Sequence, residues 1–195
     1  MKRAAVFTLL VAGCMGLGRQ PDASKFFTLT PVAEDAAGPA VGGEGKLSVG
    51  LGPILLPGYL VRTQLVRRVG PNEIKLAESD RWAEPLGEAF GRTLRQNLVH
   101  LLGADRVVVY PWPIATRVDL RVSVEVLRFE PGTDGSAELA ARWTVREGTG
   151  ADVIAARDSD LREPASGGDT AAAVGAMSRA LSRLSGEIAQ VIAQR

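Results

Sequence analysis

The chain has few of the side chains that most often carry chemistry. Its 195 residues include one cysteine, Cys14, and one histidine, His100. A single thiol excludes an internal disulfide, and metal sites or histidine-based triads lack ligands. No run after Cys14 approaches the ~18 apolar residues of a transmembrane helix. Lysine and arginine form no cluster and the net charge is only +1, which argues against a nucleic-acid partner.

Catalytic motifs are also missing. The sequence has no glycine-rich phosphate loop, no Gly-x-Ser-x-Gly elbow and no metal-ligand cluster, so we expect neither a metal nor a cofactor. Asp80 and Glu84 are candidates for the paired carboxylates of a hydrolase. Acidic residues are expected at the start of a helix in any case, because they interact favourably with the helix dipole. The sequence therefore argues against an enzyme.

The N-terminal segment has the layout of an export signal. Two basic residues precede an apolar run at residues 4–11, which is too short to span a bilayer as a helix. Ala12 and Gly13 provide the small residues of a signal-peptidase site, and Cys14 follows directly. This order resembles the lipobox of bacterial lipoproteins, in which the cysteine is acylated and becomes the first mature residue. The alternative is an ordinary secretory signal with an incidental cysteine.

The lipoprotein interpretation divides the chain into three parts. Residues 1–13 are the signal peptide, residues 14–24 are the lipidated cysteine and a tether, and residues 25–195 form a single domain. Each buried methylene contributes about 0.8 kcal/mol, so an anchor with several acyl chains is effectively permanent. Met15 stands where an aspartate favours inner-membrane retention in enteric bacteria, so we expect the outer membrane.

Two segments have the periodicity of amphipathic helices. In the first, residues 84–102, one face carries five apolar side chains: Leu86, Phe90, Leu94, Leu98 and Leu101. In the second, residues 169–194, one face carries six: Val174, Met177, Leu181, Leu184, Ile188 and Val191. Ser166 or Asp169 can cap the second helix. Its stripe is too short to indicate a coiled coil, so packing on a sheet is the preferred interpretation.

The other patterns predict strands. Short strands are expected at residues 25–30, 46–51 and 107–110, the second of them half-buried. A hairpin is expected around Gly70-Pro71-Asn72. Three longer strands predict an antiparallel meander at residues 118–126, 139–145 and 153–161, with a bulge near Leu127. The predicted fold is an α/β two-layer sandwich, in which a mixed, mostly antiparallel sheet carries two long helices on one face.

Several stretches, taken in order behind the lipobox, resemble one protein family. They are Phe26-Phe27-Thr28-Leu29, Val49-Gly50-Leu51-Gly52-Pro53, Pro57-Gly58-Tyr59-Leu60-Val61-Arg62-Thr63-Gln64, Asp80-Arg81-Trp82-Ala83-Glu84-Pro85-Leu86 and Tyr110-Pro111-Trp112. The set resembles the ABC-type transport auxiliary lipoproteins, the PqiC family of paraquat-inducible operons. The resemblance covers the chain from about Phe26 onwards. At position 61 this chain has valine where the family pattern Tyr-Leu-Asp-Arg has aspartate.

The resemblance implies a role beside MCE-type transporters, which move phospholipid or other hydrophobic molecules between the two membranes of a Gram-negative envelope. The lipoprotein would face the periplasm from the outer membrane and dock an MCE-domain partner. The resemblance leaves open whether the domain itself contacts phospholipid. A ring-shaped partner implies, by analogy, a matching homo-oligomer. A structural lipoprotein that ties envelope components together is the alternative.

The candidate partner-binding residues lie in the proline-framed loop at residues 57–64 and at Trp112. In that loop Tyr59 and Leu60 would form an exposed apolar anchor, with Arg62 and Gln64 supplying polar contacts. Trp112 is either a second contact or a wedge that closes the end of the sheet. A separate motif is expected to be structural: Asp80 caps a helix, Arg81 pairs with a carboxylate, and Trp82 covers the edge of the core.

Overall fold

The computed structural model describes residues 23–31, 47–102, 107–113 and 115–195. Cys14, the signal segment, most of the tether and the predicted loop after Pro31 lie outside these residues. Their assignments therefore stay predictions. No helix in the described ranges is both long enough and apolar enough to cross a membrane.

Two α-helices and eight strands make up the described part of the chain. The strands are β1 (Lys25–Phe27), β2 (Val49–Leu55), β3 (Gln64–Gly70), β4 (Glu73–Trp82), β5 (Val107–Val109), β6 (Leu120–Pro131), β7 (Ala137–Glu147) and β8 (Val153–Glu163). The helices are α1 (Leu86–Leu102) and α2 (Thr170–Ile192). A short 3-10 helix, Gly58–Leu60, follows β2.

The larger sheet has five strands in the order β5-β2-β6-β7-β8. The last three form the predicted antiparallel meander, and the β6–β7 register shifts between Val126 and Arg128, where the change of apolar parity indicated a bulge. Strand β2 is parallel to both of its neighbours. The expectation of a half-buried strand here is wrong, because residues 49–52 are all buried. A central parallel strand is covered on both faces.

Both helices pack on the five-stranded sheet and on each other, α1 against β2 and β5, and α2 against β6, β7 and β8. The predicted apolar stripes point into the core, with Leu94 and Leu184 fully buried. The rings of Phe90 and Phe129 meet edge to face with centroids 5.3 Å apart. Asp169 caps α2 as predicted, since its carboxylate accepts a 2.8 Å hydrogen bond from the Ala172 N–H. The predicted fold class is confirmed.

The smaller sheet was not predicted. It has three strands in the order β1-β4-β3, with β1 parallel to β4 and β3 paired to β4 in the predicted hairpin. Strand β4 continues to Trp82, well beyond the expected end near Ala77. Most of its side chains are exposed, so the alternation that marks a half-buried strand is absent. As a result Asp80 and Arg81 lie in a strand and not at the start of a helix.

A candidate binding groove beside the first helix

The loop at residues 57–64 is held against the body of the protein. Its 3-10 helix directs Leu60 into the core, where the side chain is 1% exposed. The expectation that Tyr59 and Leu60 form an exposed pair is therefore wrong for Leu60, and Tyr59 is only half-exposed. Val61 takes the outward position, with 68% of its surface exposed. Residues of a 3-10 helix point in three directions about 120° apart, so neighbours cannot share one face.

Buried Glu130, near the end of β6, fixes this loop. Its carboxylate accepts 2.8 Å hydrogen bonds from the Tyr59 hydroxyl and from Nε of Arg68, whose guanidinium completes an ion pair. The Phe129 N–H also donates to it. Burial, together with the hydrogen bond to this carboxylate and its charge, raises the pKa of Tyr59 to about 12. One carboxylate thus holds both the loop and the β3–β4 hairpin on β6.

An apolar groove opens between this loop, the end of β2 and the first turns of α1. It consists of two hollows of about 620 Å³ and 540 Å³, which share Ile54, Gly87 and Glu88 as lining residues. Each volume falls within the ~300–1,000 Å³ that is usual for ligand pockets. The first hollow extends to Tyr110, and the second extends to Val61 and Trp82.

Two glycines of α1 make room for the groove. A methyl group at Gly91 would lie 3.3 Å from Cδ1 of Ile54, so the glycine lets Ile54 pack closely on the helix. At Gly87 the nearest such atom, Cδ1 of Leu56, is 3.9 Å away, which leaves open space above the helix. Glycine inside a helix costs about 1 kcal/mol relative to alanine. Their spacing of four residues places both on one face of α1, and this is the sequence signal for the groove.

The rim of the groove is apolar and exposed. Leu55 is 58% exposed and Tyr110 is 56% exposed, and Val61 and Val109 complete the set. These four account for a large share of the exposed bulky apolar side chains in the described ranges. Clustered exposure of this kind marks a binding surface, whereas scattered apolar residues do not.

The two candidate catalytic carboxylates have separate partners. Asp80 accepts a 2.5 Å hydrogen bond from the Thr170 hydroxyl at the start of α2. Glu84 pairs with Arg92 at 2.6 Å and accepts from Thr28. The hydrogen bond from Arg92 is the main reason that the pKa of Glu84 is lowered. Their suggested pairing at one helix start is wrong, and the described residues contain no cluster of potential metal ligands.

The remaining predicted residues are divided between the groove and the core. Arg62 is exposed and lines the second hollow. Gln64 begins β3 at the edge of this region and accepts a hydrogen bond from the Thr63 hydroxyl. Trp112 lies outside the groove, packed on β2 so closely that a methyl group at Gly50 would be 2.8 Å from its ring. Its edge-to-face contact with Tyr110, at 5.6 Å, supports the groove rim indirectly.

The Asp80-Arg81-Trp82 motif is structural in part. Trp82 is buried at the core edge, as predicted. Asp80 bonds to the first residue of α2 and does not cap α1. The expected carboxylate partner of Arg81 is not found in the described ranges, where its Nε is buried without a hydrogen bond.

Comparison with known proteins places this architecture in a family. The model of the family described as the ABC-type transport auxiliary lipoprotein component matches residues 27–189. The chain belongs to this family. The match confirms the resemblance drawn from the motifs, and the auxiliary lipoproteins are a transport family, not a known enzyme family.

Two solved structures share the fold of this auxiliary lipoprotein. A Xanthomonas campestris protein of the DUF330 family is 17% identical, with a TM-score of 0.74 over 88% of this chain and 97% of the other. A protein described only as uncharacterized is 19% identical, with a TM-score of 0.71 over 87% and 98% of the two chains. No curated protein matches the sequence.

Proposed function

We propose that this auxiliary lipoprotein is anchored to the outer membrane by acylated Cys14 and docks an MCE-domain transporter that carries phospholipid across the periplasm. Membership of an ABC-type transport auxiliary lipoprotein family supports a transport role and a location in the cell envelope. The docking partner, the membrane and the cargo are our inference from the groove and from the family resemblance.

One observation carries the proposal: four of the five stretches that hold the family resemblance contribute residues to the groove. Gly52 and Pro53 come from the second stretch, residues 49–53, and Val61 and Arg62 come from the loop at residues 57–64. The fourth stretch, residues 80–86, contributes residues 82–86, and the last stretch contributes Tyr110. These segments come from separate elements of the fold and line one concave surface. A shared binding site explains this convergence better than separate structural roles.

The structure changes which residues we assign to the contact. Val61 replaces Leu60 as the apolar anchor, and Arg62 keeps its role as a polar contact. Tyr59 and Leu60 act by positioning the loop, since both are held by the body of the protein. Gln64 and Trp112 stay at the margins of the surface. The valine at position 61, in place of the family's aspartate, makes this end of the groove apolar and favours an apolar partner segment.

The direct experiment is recovery of the full-length lipoprotein from its native envelope in mild detergent. Mass spectrometry then identifies and quantifies the retained proteins and phospholipids. We expect an MCE-domain protein in stoichiometric amount. Recovery with other envelope proteins and without any MCE-domain protein would contradict the proposal and favour a structural tether.

A further inference from the structure

Strand β2 extends beyond the end of its neighbour β5, which is the edge strand of the sheet. Strand β5 pairs only with residues 49–51 of β2 and ends at Val109. On the other side, β6 continues to pair with Ile54 and Leu55. Tyr110, just beyond the end of β5, lies against Gly52. In the described ranges, therefore, no strand occupies the sheet position next to residues 53–55. The five-stranded sheet has a gap beside the second half of β2.

Backbone groups of β2 face this gap. The last hydrogen bond on this side joins the Tyr110 N–H to the Leu51 carbonyl oxygen at 2.8 Å. Both the N–H and the C=O of one strand residue point to one edge, and those of the next residue point to the other edge. Either Ile54 or Leu55 therefore directs its N–H and C=O groups toward the gap. Water can satisfy these groups at an exposed edge, but a partner that displaces the water must replace its hydrogen bonds. A peptide strand can supply these partners, whereas an acyl chain cannot.

The outer edge of β5 is already protected. Nε of Arg95 donates a 2.8 Å hydrogen bond to the Val107 carbonyl oxygen. A charged side chain that covers an edge discourages pairing with another strand. An incoming strand would therefore pair with β2 beyond the end of β5, and would not pair with the outer edge of β5.

The gap and the groove coincide. The first hollow is lined by residues 51–55 of β2 and by Tyr110, and the second continues past Ile54 to Val61. A strand rises about 3.3 Å per residue, so a segment of roughly four residues would span the distance from Gly52 to Leu56. Alternate side chains of that segment would enter the apolar hollows on either side of its backbone.

A cation lies at each end of the groove. Arg95 lines the first hollow and Arg62 lines the second, and both side chains are exposed. Neither forms an ion pair within the described residues, and Arg92 between them is paired with Glu84. Exposed Glu88 lines both hollows, so the positive charge is confined to the two ends. A carboxylate on the incoming segment would find a charge-assisted hydrogen bond at either end.

We propose that a short, extended apolar segment of the partner, ending in or flanked by a carboxylate, adds to the sheet as a strand beside residues 53–55 of β2. This inference rests on the proposed function and specifies how the partner docks. Strand addition of this kind takes affinity from main-chain hydrogen bonds and specificity from pockets for alternate side chains.

The test fills the groove without weakening the fold. Gly87→Leu places an isobutyl group in the open space above α1, and replacing a helical glycine does not cost helix propensity. Gly186→Leu is the matched control, because it makes the same change in α2 with no atom within 4 Å of the new Cβ and outside the groove. In the envelope recovery described above, we expect Gly87→Leu to retain at least tenfold less MCE-domain protein, and Gly186→Leu to retain the native amount.

A photo-crosslinking residue in place of Leu55 identifies the occupant directly. We expect a crosslink to an extended segment of the retained MCE-domain protein, and slower hydrogen exchange of β2 amides in the complex. A crosslink only to phospholipid, or to a second copy of this chain, would overturn the inference. Retention of the native amount of MCE-domain protein by Gly87→Leu would also overturn it. If the native chain retains no MCE-domain protein at all, the proposed function itself fails.

Discussion

The hydroxyl of Tyr59 lies 2.8 Å from Oε2 of Glu130, although the two residues are 71 positions apart in the chain. Glu130 is buried, and Arg68 neutralises it from the β3–β4 hairpin. This contact joins the loop that forms one side of the groove to the end of β6, the central strand of the larger sheet. The shape of the groove therefore depends on a hydrogen bond made outside it.

Removing the Tyr59 hydroxyl should destabilise the protein. Hydrogen bonds to charged groups contribute about 1.5–3 kcal/mol, so we expect Tyr59→Phe to lower the free energy of unfolding by about that amount in urea denaturation. Tyr110→Phe is the matched control, because its ring is largely exposed. Equal effects of the two substitutions, or a loss below about 0.5 kcal/mol for Tyr59→Phe, would show that Glu130 does not hold the loop through this bond.

The same contact predicts a dependence on alkaline pH. The pKa of Tyr59 is raised to about 12 in the folded protein, mainly by burial and then by Glu130, whereas an unfolded tyrosine titrates near pH 10. A raised folded-state pKa gives stability that is complete below about pH 10 and is lost as the pH rises through about 12. The chain has two tyrosines, so the phenolate absorbance of the native protein minus that of Tyr59→Phe isolates this titration. A difference curve centred near pH 10 would contradict the predicted environment.

The helices and the meander were predictable because their side chains carry a period. The stripe from Val174 to Val191 and the alternation in β7 both reflect one face buried against the core. Strand β4 was underestimated because exposed residues such as Lys75 and Glu78 leave no such period. Its length is set by backbone pairing with β3 and β1, which sequence patterns do not record.

The groove was predictable only in part. The motif stretches contain segments that line the groove, but the side chain that each segment presents depends on local geometry. The 3-10 helix buries Leu60, which was expected to be exposed, and leaves the next residue, Val61, exposed. The gap beside β2 depends on where β5 ends, which only the register of the sheet reveals.

The stripes of α1 and α2 should behave as core and not as partner surfaces. Leu94 and Leu184 are fully buried, so Leu94→Ala and Leu184→Ala should each cost about 2–5 kcal/mol of unfolding free energy. Leu55→Ala, at an exposed position, should cost less than about 1 kcal/mol in the same urea titration. Losses below roughly 1 kcal/mol at both buried sites would be incompatible with helices packed on this sheet.

Cys14 is predicted to carry the membrane anchor. We expect Cys14→Ser to move the protein from the outer-membrane fraction to the soluble periplasmic fraction, because acyl chains supply the binding energy. Envelope fractionation followed by mass spectrometry of the N-terminus measures location and processing together. A variant that stays membrane-bound and is processed at the same position would refute the lipoprotein assignment.

The most direct test of the account is the effect of one charge in the groove on partner retention. Leu55→Asp places a carboxylate on the apolar rim, and Leu127→Asp makes the same substitution at another exposed position, on β6. We predict that full-length protein recovered from the envelope retains at least tenfold less MCE-domain protein with Leu55→Asp, which corresponds to about 1.4 kcal/mol, and the native amount with Leu127→Asp. Equal retention by both variants, with folding intact, would contradict docking at this groove.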